Sequence, residues 1–228
     1  MMNGKIRIKR YRPETDSVPH YQEYQFSFKP GQCVLDVMFY LYENVDGTLG
    51  FRYCCRNNRC GMCGAKINGK AGLMCNVAAS EDLTLEPLDN LPVLRDLIVD
   101  RSAYSRRKDN LRPFLDRVIP HQGERAEQID LSNFDKLKRA SRCIECYCCV
   151  SSCPVLSRNP HVFDGPSALV QLARHAFDPR DDSNRGVIAH SSGISNCIGC
   201  KKCSEVCPHH IDPMENVRCM QEMLTGSK

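Results

Sequence analysis

The sequence predicts an α+β protein whose first part is built mainly from strands and whose second part is helical. Residues 5–11 and 21–28 alternate apolar and polar side chains as half-buried strands do, and Pro13 and Pro19 lie in their connection. This pattern predicts a hairpin. In the second part, residues 164–176 place a Gly-Pro pair before apolar residues at helical spacing, which predicts a helix.

One helix is predicted across the strands of the first part. After Cys33, apolar side chains recur at positions i, i+3, i+4 and i+7, which form one stripe of a helix: Leu35, Met38, Phe39 and Tyr42. Gly47 and Gly50 are expected to end it. Further on, Asn68-Gly69 is a strong two-residue hairpin turn, and residues 83–88 alternate as another strand does.

Twelve of the sixteen cysteines fall into three regularly spaced sets of four. The sets are Cys55, Cys60, Cys63 and Cys75; Cys143, Cys146, Cys149 and Cys153; and Cys197, Cys200, Cys203 and Cys207. The first has the plant-type ferredoxin spacing, and each of the others is a CxxCxxCxxxCP run of the bacterial type. Four thiolates that converge on an inorganic core hold an iron–sulfur cluster, so the chain is expected to transfer electrons.

The two bacterial-type runs are expected to exchange one ligand each. In two-cluster ferredoxins the fourth cysteine of a run ligates the other cluster, so Cys153 should join the third set and Cys207 the second. The spacing predicts one [2Fe–2S] and two [4Fe–4S] clusters. Together with the strand and helix patterns, it predicts a β-grasp plant-type ferredoxin domain over residues 1–105 and an all-α two-cluster ferredoxin domain over residues 106–228.

Several helix limits can be predicted in and before the second domain. A helix leading out of the first domain is expected near Pro92, with Asn90 as its cap and three apolar residues on one side: Leu94, Leu97 and Ile98. Residues 121–128 are polar and are interpreted as a linker. Ser132 and Asp135 resemble a capping box for a helix that runs into the second cysteine run.

Composition excludes several classes of function. The net charge is +4, and the basic stretches 101–108 and 136–142 are more typical of a solvated or protein-docking surface than of a nucleic-acid site, since there is no Trp for base stacking. No run of about 18 apolar residues spans a bilayer. The N-terminus lacks the apolar region of a Sec signal, so a cytoplasmic protein is expected.

Disulfides and zinc are the alternatives for a cysteine-rich chain. The CxxC spacings and the N-terminus favour metal thiolates over disulfides. Three complete sets favour iron–sulfur clusters over zinc, although a zinc-bound structural or nucleic-acid module stays an alternative, and it would be colourless.

Four cysteines fall outside the sets. Cys33 and Cys219 are interpreted as small buried apolar residues. Cys55 is preferred to Cys54 because Cys54 would lengthen the first gap, and the intact second run leaves out Cys148.

Other residues near the sets have ordinary interpretations. His209 and His210 are expected at the surface or at a cofactor edge, and Lys201 and Lys202 are expected to be solvated. Gly61 and Gly64 are a different case, because they are expected to give the backbone the freedom to point amides at cluster sulfurs.

The order of these motifs resembles the iron–sulfur subunit of the succinate dehydrogenase/fumarate reductase (complex II) family. The resemblance covers nearly the whole chain, with IRIKRYRP at the start, FRYCCRNNRCGMCGAKING at the first set, CIECYCCVSSCP at the second and CSEVCP at the end of the third. It implies a subunit that carries electrons between a FAD-containing flavoprotein and a quinone-holding membrane anchor, on the inner face of the cell membrane. The chain has no acid/base constellation, so no catalytic residue is predicted in it.

The sequence departs from the family pattern in two places. Most members have no cysteine at the position of Cys200 and carry a [3Fe–4S] third cluster, whereas here Cys200 is expected to complete a [4Fe–4S]. Members that reduce ubiquinone have a Trp beyond the position of Cys153 and a His after that of Cys197. Here these segments read PVLSR (154–158) and Ile198, which favours menaquinone or a non-quinone partner.

An electron-transfer subunit of another flavoprotein oxidoreductase is the alternative, of the thiol- or heterodisulfide-linked type. A heterodisulfide-linked subunit would not need the plant-type set. A thiol-dependent relative would be expected to continue beyond Lys228 into a cysteine-rich CCG domain.

Overall fold

The computed structural model describes residues 1–118, 123 and 126–225, and the chain divides into two compact units. The first unit comprises Met1–Arg101, Ile144–Ser152 and Val206–Pro208. The second unit comprises the rest of the described chain. Two short pieces of the cysteine runs therefore belong to the unit that contains the strands.

The first unit is built on a five-stranded mixed sheet and a two-stranded sheet. The strands are β1 Met2–Arg10, β2 His20–Phe28, β3 Gly64–Ile67, β4 Lys70–Leu73, β5 Asp82–Glu86, β6 Val93–Arg95 and β7 Ile98–Val99. The larger sheet has the order β2-β1-β5-β3-β4, in which β1 and β5 are parallel and the other pairs are antiparallel.

Both predicted hairpins are confirmed. β1 and β2 pair in antiparallel register from Met2 opposite Phe28 to Arg10 opposite His20. β3 and β4 are joined by Asn68-Gly69, whose φ angles of +47° and +81° are those of a turn that matches the twist of the strands.

The predicted helix of the first unit is α1, Val34–Asn44, and it contacts β2. Leu35 and Met38 are fully buried, as predicted, but Tyr42 is 46% exposed and Phe39 is only half-buried. The buried face of the helix consists of Val34, Leu35, Val37, Met38 and Leu41 instead of the predicted stripe through Phe39 and Tyr42. The helix ends at Asn44, before the two glycines that were expected to end it.

The helix predicted near Pro92 is wrong, because residues 93–99 form the β6–β7 hairpin. At the turn, Asp96 has a left-handed φ of +48° and a carboxylate that is fully buried. That carboxylate accepts hydrogen bonds from the backbone N–H groups of Tyr11 (2.9 Å) and Gly50 (2.7 Å). Apolar residues at i and i+3 are compatible with a helix and with a tight hairpin. The hydrogen bonds of Asp96 to the distant residues Tyr11 and Gly50 stabilise the hairpin.

Asn90 does not cap a helix either. It has a φ of +62°, and its side-chain amide donates to the carbonyl oxygens of Val150 (2.8 Å) and Ser151 (3.3 Å). The residue therefore ties the end of the strand region to the segment 144–152 within the first unit.

Arg10 and Asp96 form the centre of a buried polar network. Arg10 is 3% exposed, and its Nε donates to Asp96 Oδ1 at 3.0 Å. Its Nη1 donates to Asp46 Oδ2 (2.7 Å) and to the Tyr24 hydroxyl (2.6 Å), and its Nη2 donates to Thr48 Oγ1 (2.9 Å). The network fixes β1, the end of α1 and the β6–β7 hairpin to one another.

The helices that follow the sheets are short. They are α2 Ser102–Asn110, α3 Leu131–Ala140, α4 Cys148–Ser151, α5 Pro154–Arg158, α6 Pro166–Ala176, α7 Arg185–Ser191, a 3₁₀ turn Ile194–Asn196, α8 Lys202–Glu205 and α9 Pro213–Thr225. α4 belongs to the first unit and the others to the second. α6 contacts α2, α3, α7 and α9, and its Leu169, Leu172 and Ala173 are fully buried.

The start of α6 is as predicted, with Pro166 at its first position and Gly165 as its cap. The capping box predicted at Ser132 is wrong. Asp130 is the cap of α3, because its carboxylate accepts from the N–H of Asn133 at 3.0 Å, and the helix ends at Ala140 before the second run begins. The predicted linker, 121–128, falls partly on 121–122 and 124–125, which lie outside the described residues.

Replacing Asp96 with Asn should destabilise the protein by about 3 kcal/mol, because it removes the fully buried carboxylate of the Arg10 network and leaves the Arg10 charge to the less buried carboxylate of Asp46. Chemical denaturation of the full chain measures this loss. The control is Asp82→Asn, since Asp82 pairs with Lys5 at the surface (3.5 Å) and should contribute less than about 1 kcal/mol. Equal losses of stability in the two variants would contradict the conclusion that Asp96 belongs to a stabilising buried network.

Candidate iron–sulfur sites

The first set of cysteines lies on the loop after residue 50 and just beyond β4. The N–H of Cys60 donates to Cys55 Sγ at 3.2 Å, and the N–H of Cys55 points back at Cys60 Sγ at 3.5 Å. Cys63 is hydrogen-bonded to Cys75, and its thiol is close enough to Cys60 for their charges to interact. The structure thus links all four predicted ligands of the first set.

Backbone amides stabilise the thiolate of Cys55. The N–H groups of Asn57, Arg59 and Cys60 hold the pKa of the Cys55 thiol at about 7, against the cost of partial burial. Cys63 is the opposite case, because burial raises the pKa of its thiol to about 12. The Cys55 thiol therefore favours the thiolate form that ligates metal, whereas the Cys63 thiol needs a positive metal core beside it to lose its proton.

Both the backbone conformation at position 61 and the close packing around it require a glycine. Its φ is +68°, and a Cβ atom there would lie 2.6 Å from the carbonyl oxygen of Ile144. Gly64 has a different reason, because it lies in β3 and a Cβ atom there would be 3.1 Å from the Cys146 carbonyl oxygen. The sequence predicts for both glycines a role in backbone freedom. Of the two, Gly61 alone has a left-handed φ, and both glycines let the first-set loop approach the segment 144–147.

Three of the four predicted ligands of the second cluster, Cys146, Cys149 and Cys207, belong to the first unit. Cys148 is 1% exposed, is hydrogen-bonded to Cys146, and is close enough to Cys149 and Cys207 for their charges to interact. This hydrogen bond lowers the pKa of the Cys146 thiol and raises that of Cys148. The spacing leaves Cys148 out of the set, and the structure buries it beside three members of the set.

The predicted ligands of the third cluster, Cys153, Cys197, Cys200 and Cys203, lie within the second unit. Cys153 caps α5, Cys197 follows the 3₁₀ turn, and Cys203 lies on α8. Burial, together with the neighbouring thiols of Cys153, Cys197 and Cys200, raises the pKa of the Cys203 thiol to about 12. Cys153 is thus a neighbour of the third-set thiols, and its role as a ligand there stays a prediction. Cys207 is in the same way a neighbour of Cys148 at the second set.

The other cysteines differ from their interpretation as apolar residues. Cys33 is half-buried and its thiol donates to Asp36 Oδ2 at 3.2 Å, while Cys219 is half-buried beside Glu215 at 3.6 Å. Cys54 is exposed. Within residues 1–118, 123 and 126–225, no group of three or more His, Cys, Asp or Glu side chains is arranged to hold a single metal ion.

Arg101 also differs from its interpretation, since it falls in a stretch expected to be solvated or docking surface. It is half-buried, and its Nη2 donates to the carbonyl oxygens of Gly61 (3.0 Å) and Met62 (3.3 Å), between two cysteines of the first set. Only the Arg-rich composition of 101–108 is visible in the sequence, and composition does not show which arginine is buried.

Two families of known domains match the chain. Residues 5–106 match the family described as a 2Fe-2S iron-sulfur cluster binding domain, and residues 139–211 match the 4Fe-4S dicluster domain. The protein is therefore of the ferredoxin type, with a 2Fe–2S domain followed by a 4Fe–4S domain, as the α+β prediction required. None of the helices in the described part of the chain has the length and apolar character needed to cross a bilayer.

The relatives identify the family. The chain is 36% identical over 216 residues to the fumarate reductase iron-sulfur subunit of Mycobacterium tuberculosis, covering 91% of this chain and 87% of that protein. A chain of the Mycobacterium smegmatis Sdh1 complex in the apo form has a TM-score of 0.87 at 28% identity, covering 99% and 97% of the two chains. The protein belongs to the family of succinate dehydrogenase/fumarate reductase iron–sulfur subunits, which are components of oxidoreductases.

A second kind of relative is longer. The chain is 32% identical over 219 residues to a subunit of the fumarate reductase (CoM/CoB) of Methanothermobacter marburgensis. The match covers 94% of this chain but only 44% of that protein.

Replacing Gly61 with Ala should lower the iron content of the purified protein, because the new Cβ forces apart the first-set loop and the backbone at Ile144. Gly31→Ala is the matched control, since Gly31 has a φ of +89° and nothing within 4 Å of the added atom. Both variants carry the backbone strain of about 1–2 kcal/mol. Iron analysis should show the loss for Gly61→Ala alone, and full iron in that variant would contradict the close approach.

Proposed function

We propose that the chain is the electron-transfer subunit of a succinate dehydrogenase/fumarate reductase-like complex. It relays electrons between a FAD-containing flavoprotein subunit and a membrane anchor linked to quinone. The observation that carries the proposal is the gathering of thiols from distant parts of the chain into sets. Cys203, for example, lies among the thiols of Cys153, Cys197 and Cys200.

The proposed ligands follow the three sets. Cys55, Cys60, Cys63 and Cys75 hold a [2Fe–2S] cluster; Cys143, Cys146, Cys149 and Cys207 hold one [4Fe–4S]; and Cys153, Cys197, Cys200 and Cys203 hold the other. The domain that carries the first set is a β-grasp ferredoxin over residues 1–105, and an all-α ferredoxin domain follows over 106–228. A cluster takes up and releases one electron at a time, and its potential depends on hydrogen bonds to its sulfurs and on its exposure.

The protein's own contribution is to bind, orient and shield. Backbone N–H groups directed at Cys55 Sγ stabilise the charged thiolate, and burial of Cys63 keeps water from the other side of the same set. None of the proposed roles requires a general acid or base in this chain. Interconversion of dicarboxylates therefore belongs to the flavoprotein partner.

Menaquinone is the proposed quinone partner. The segment after Cys153 forms α5, with Leu156 buried and no Trp, and Ile198 is 60% exposed beside Cys197. These features lack the aromatic and imidazole groups that the family's ubiquinone sites use. We also propose that the subunit lies on the cytoplasmic face of the membrane through its anchor partner.

A second candidate function is supported by the Methanothermobacter marburgensis relative. In this alternative, the chain serves a flavoprotein whose partner is a thiol pair or heterodisulfide, as the name CoM/CoB indicates for that protein. The distinction lies in the partner, because the same three sets can serve either function.

Replacing Cys200 with Ser should convert the third cluster toward a three-iron form, because one of four thiolates is lost. The oxidised variant should show the EPR signal of a three-iron cluster, which the parent should lack. Cys54→Ser is the control, since Cys54 is exposed and outside the sets. If the anaerobically prepared parent already shows this signal at full spin count, Cys200 is not a ligand.

The chain alone should be inert toward succinate and fumarate and should become active only in its complex. Affinity purification from its native host, followed by mass spectrometry, should recover a FAD-containing subunit and a membrane protein. Fumarate reduction by that complex with menaquinol as donor, and none with CoM and CoB thiols, is the expected result. The reverse preference would support the second candidate function and contradict the quinone proposal.

A further inference from the structure

Arg101 contacts the loop of the first cysteine set directly. Besides its hydrogen bonds to the Gly61 and Met62 carbonyl oxygens, its Nη1 lies 3.7 Å from the Met62 sulfur. Gly61 and Met62 are the two residues between Cys60 and Cys63. The guanidinium therefore binds the short segment between these two cysteines.

The same guanidinium faces the second cysteine set. Its central carbon lies 5.4 Å from the centroid of the Tyr147 ring, close enough for a cation–π interaction. Tyr147 is buried and directly follows Cys146. One cation is thus placed against two proposed clusters.

The charge of Arg101 has little compensation from the protein. Its hydrogen-bond partners among the described residues are two carbonyl oxygens and a thioether, none of which is a carboxylate. Its Nε is buried and has no hydrogen-bond partner in the described structure. Burial, followed by the nearby charge of Arg52, lowers the pKa of the guanidinium, which nevertheless stays protonated at any physiological pH.

A half-buried cation of this kind is costly unless negative charge lies close to it. Clusters held by four thiolates supply negative charge, and each one gains a further negative charge when it is reduced. A fixed positive charge favours the reduced form over the oxidised form, so it raises the reduction potential.

We propose that Arg101 is a positioning residue shared by the first and second clusters, and that its positive charge raises the reduction potentials of both. The inference rests on the proposed function, because it requires clusters at these two sets. It adds a residue outside the ligand motifs that couples the energetics of two neighbouring steps of electron transfer.

A purely structural role would require only the hydrogen bonds to the loop. Glutamine keeps a donor for the loop carbonyls but removes the charge. Lysine keeps the charge but loses the planar fork that reaches several acceptors at once. The variants Arg101→Gln and Arg101→Lys therefore separate charge from hydrogen bonding.

The experiment is an EPR-monitored potentiometric titration of the [2Fe–2S] and the second-set [4Fe–4S] cluster in the intact complex. Arg101→Gln should shift both midpoint potentials to lower values, and Arg101→Lys should keep both near those of the parent. Arg7→Gln is the control, because Arg7 is an exposed arginine of β1 that stacks on Tyr21 at 4.9 Å. It should shift neither potential.

Cluster content is measured in the same samples by iron analysis. Full iron with unchanged potentials in Arg101→Gln would overturn the inference while leaving the proposed function intact, and so would a shift of one cluster alone. If Arg101→Gln loses iron, the Arg101→Lys variant decides between the two roles. Potentials near those of the parent in Arg101→Lys support the charge role. Lowered potentials at full iron content, or the same loss of iron as in Arg101→Gln, overturn it. A parent without iron would instead refute the proposed function.

Discussion

The convergence of thiols from distant parts of the chain is the constraint on which the rest of this structure depends. In the first set it is met by a loop with little regular structure, in which Arg56, Asn58 and Gly61 all have left-handed φ angles near +60°. These turns direct N–H groups toward Cys55 Sγ. The sheet and α1 then serve as the rigid support that keeps such a loop in one conformation.

Buried charge connects that support to the sites. The Arg10–Asp96 pair holds the N–H of Gly50, and Gly50 begins the segment that leads into the first set. At the other end of the same loop, Arg101 holds the residues between Cys60 and Cys63. An arginine therefore helps to fix each end of the loop. Arg10 is paired with carboxylates, whereas the positive charge of Arg101 is balanced by the negative charge of the proposed clusters.

Much of the fold could be predicted where the signal was local. The β1–β2 alternation, the Asn68-Gly69 turn and the Gly-Pro start of α6 depend on neighbouring residues, and the sequence patterns located all three. The residues 93–99 were mispredicted because Asp96 finds its partners some 46 to 86 positions away. The cysteine sets could be proposed from spacing, but the burial of Cys148 and the position of Arg101 depend on contacts between remote segments, which no spacing reveals.

The central claim is that the three thiol sets hold one two-iron and two four-iron clusters. Mössbauer spectroscopy of ⁵⁷Fe-enriched protein, prepared without air and analysed for iron and zinc, tests it most directly. The account predicts about ten iron atoms per chain, divided between [2Fe–2S] and [4Fe–4S] signals in a ratio of about one to four, with negligible zinc. Stoichiometric zinc with little iron would contradict it.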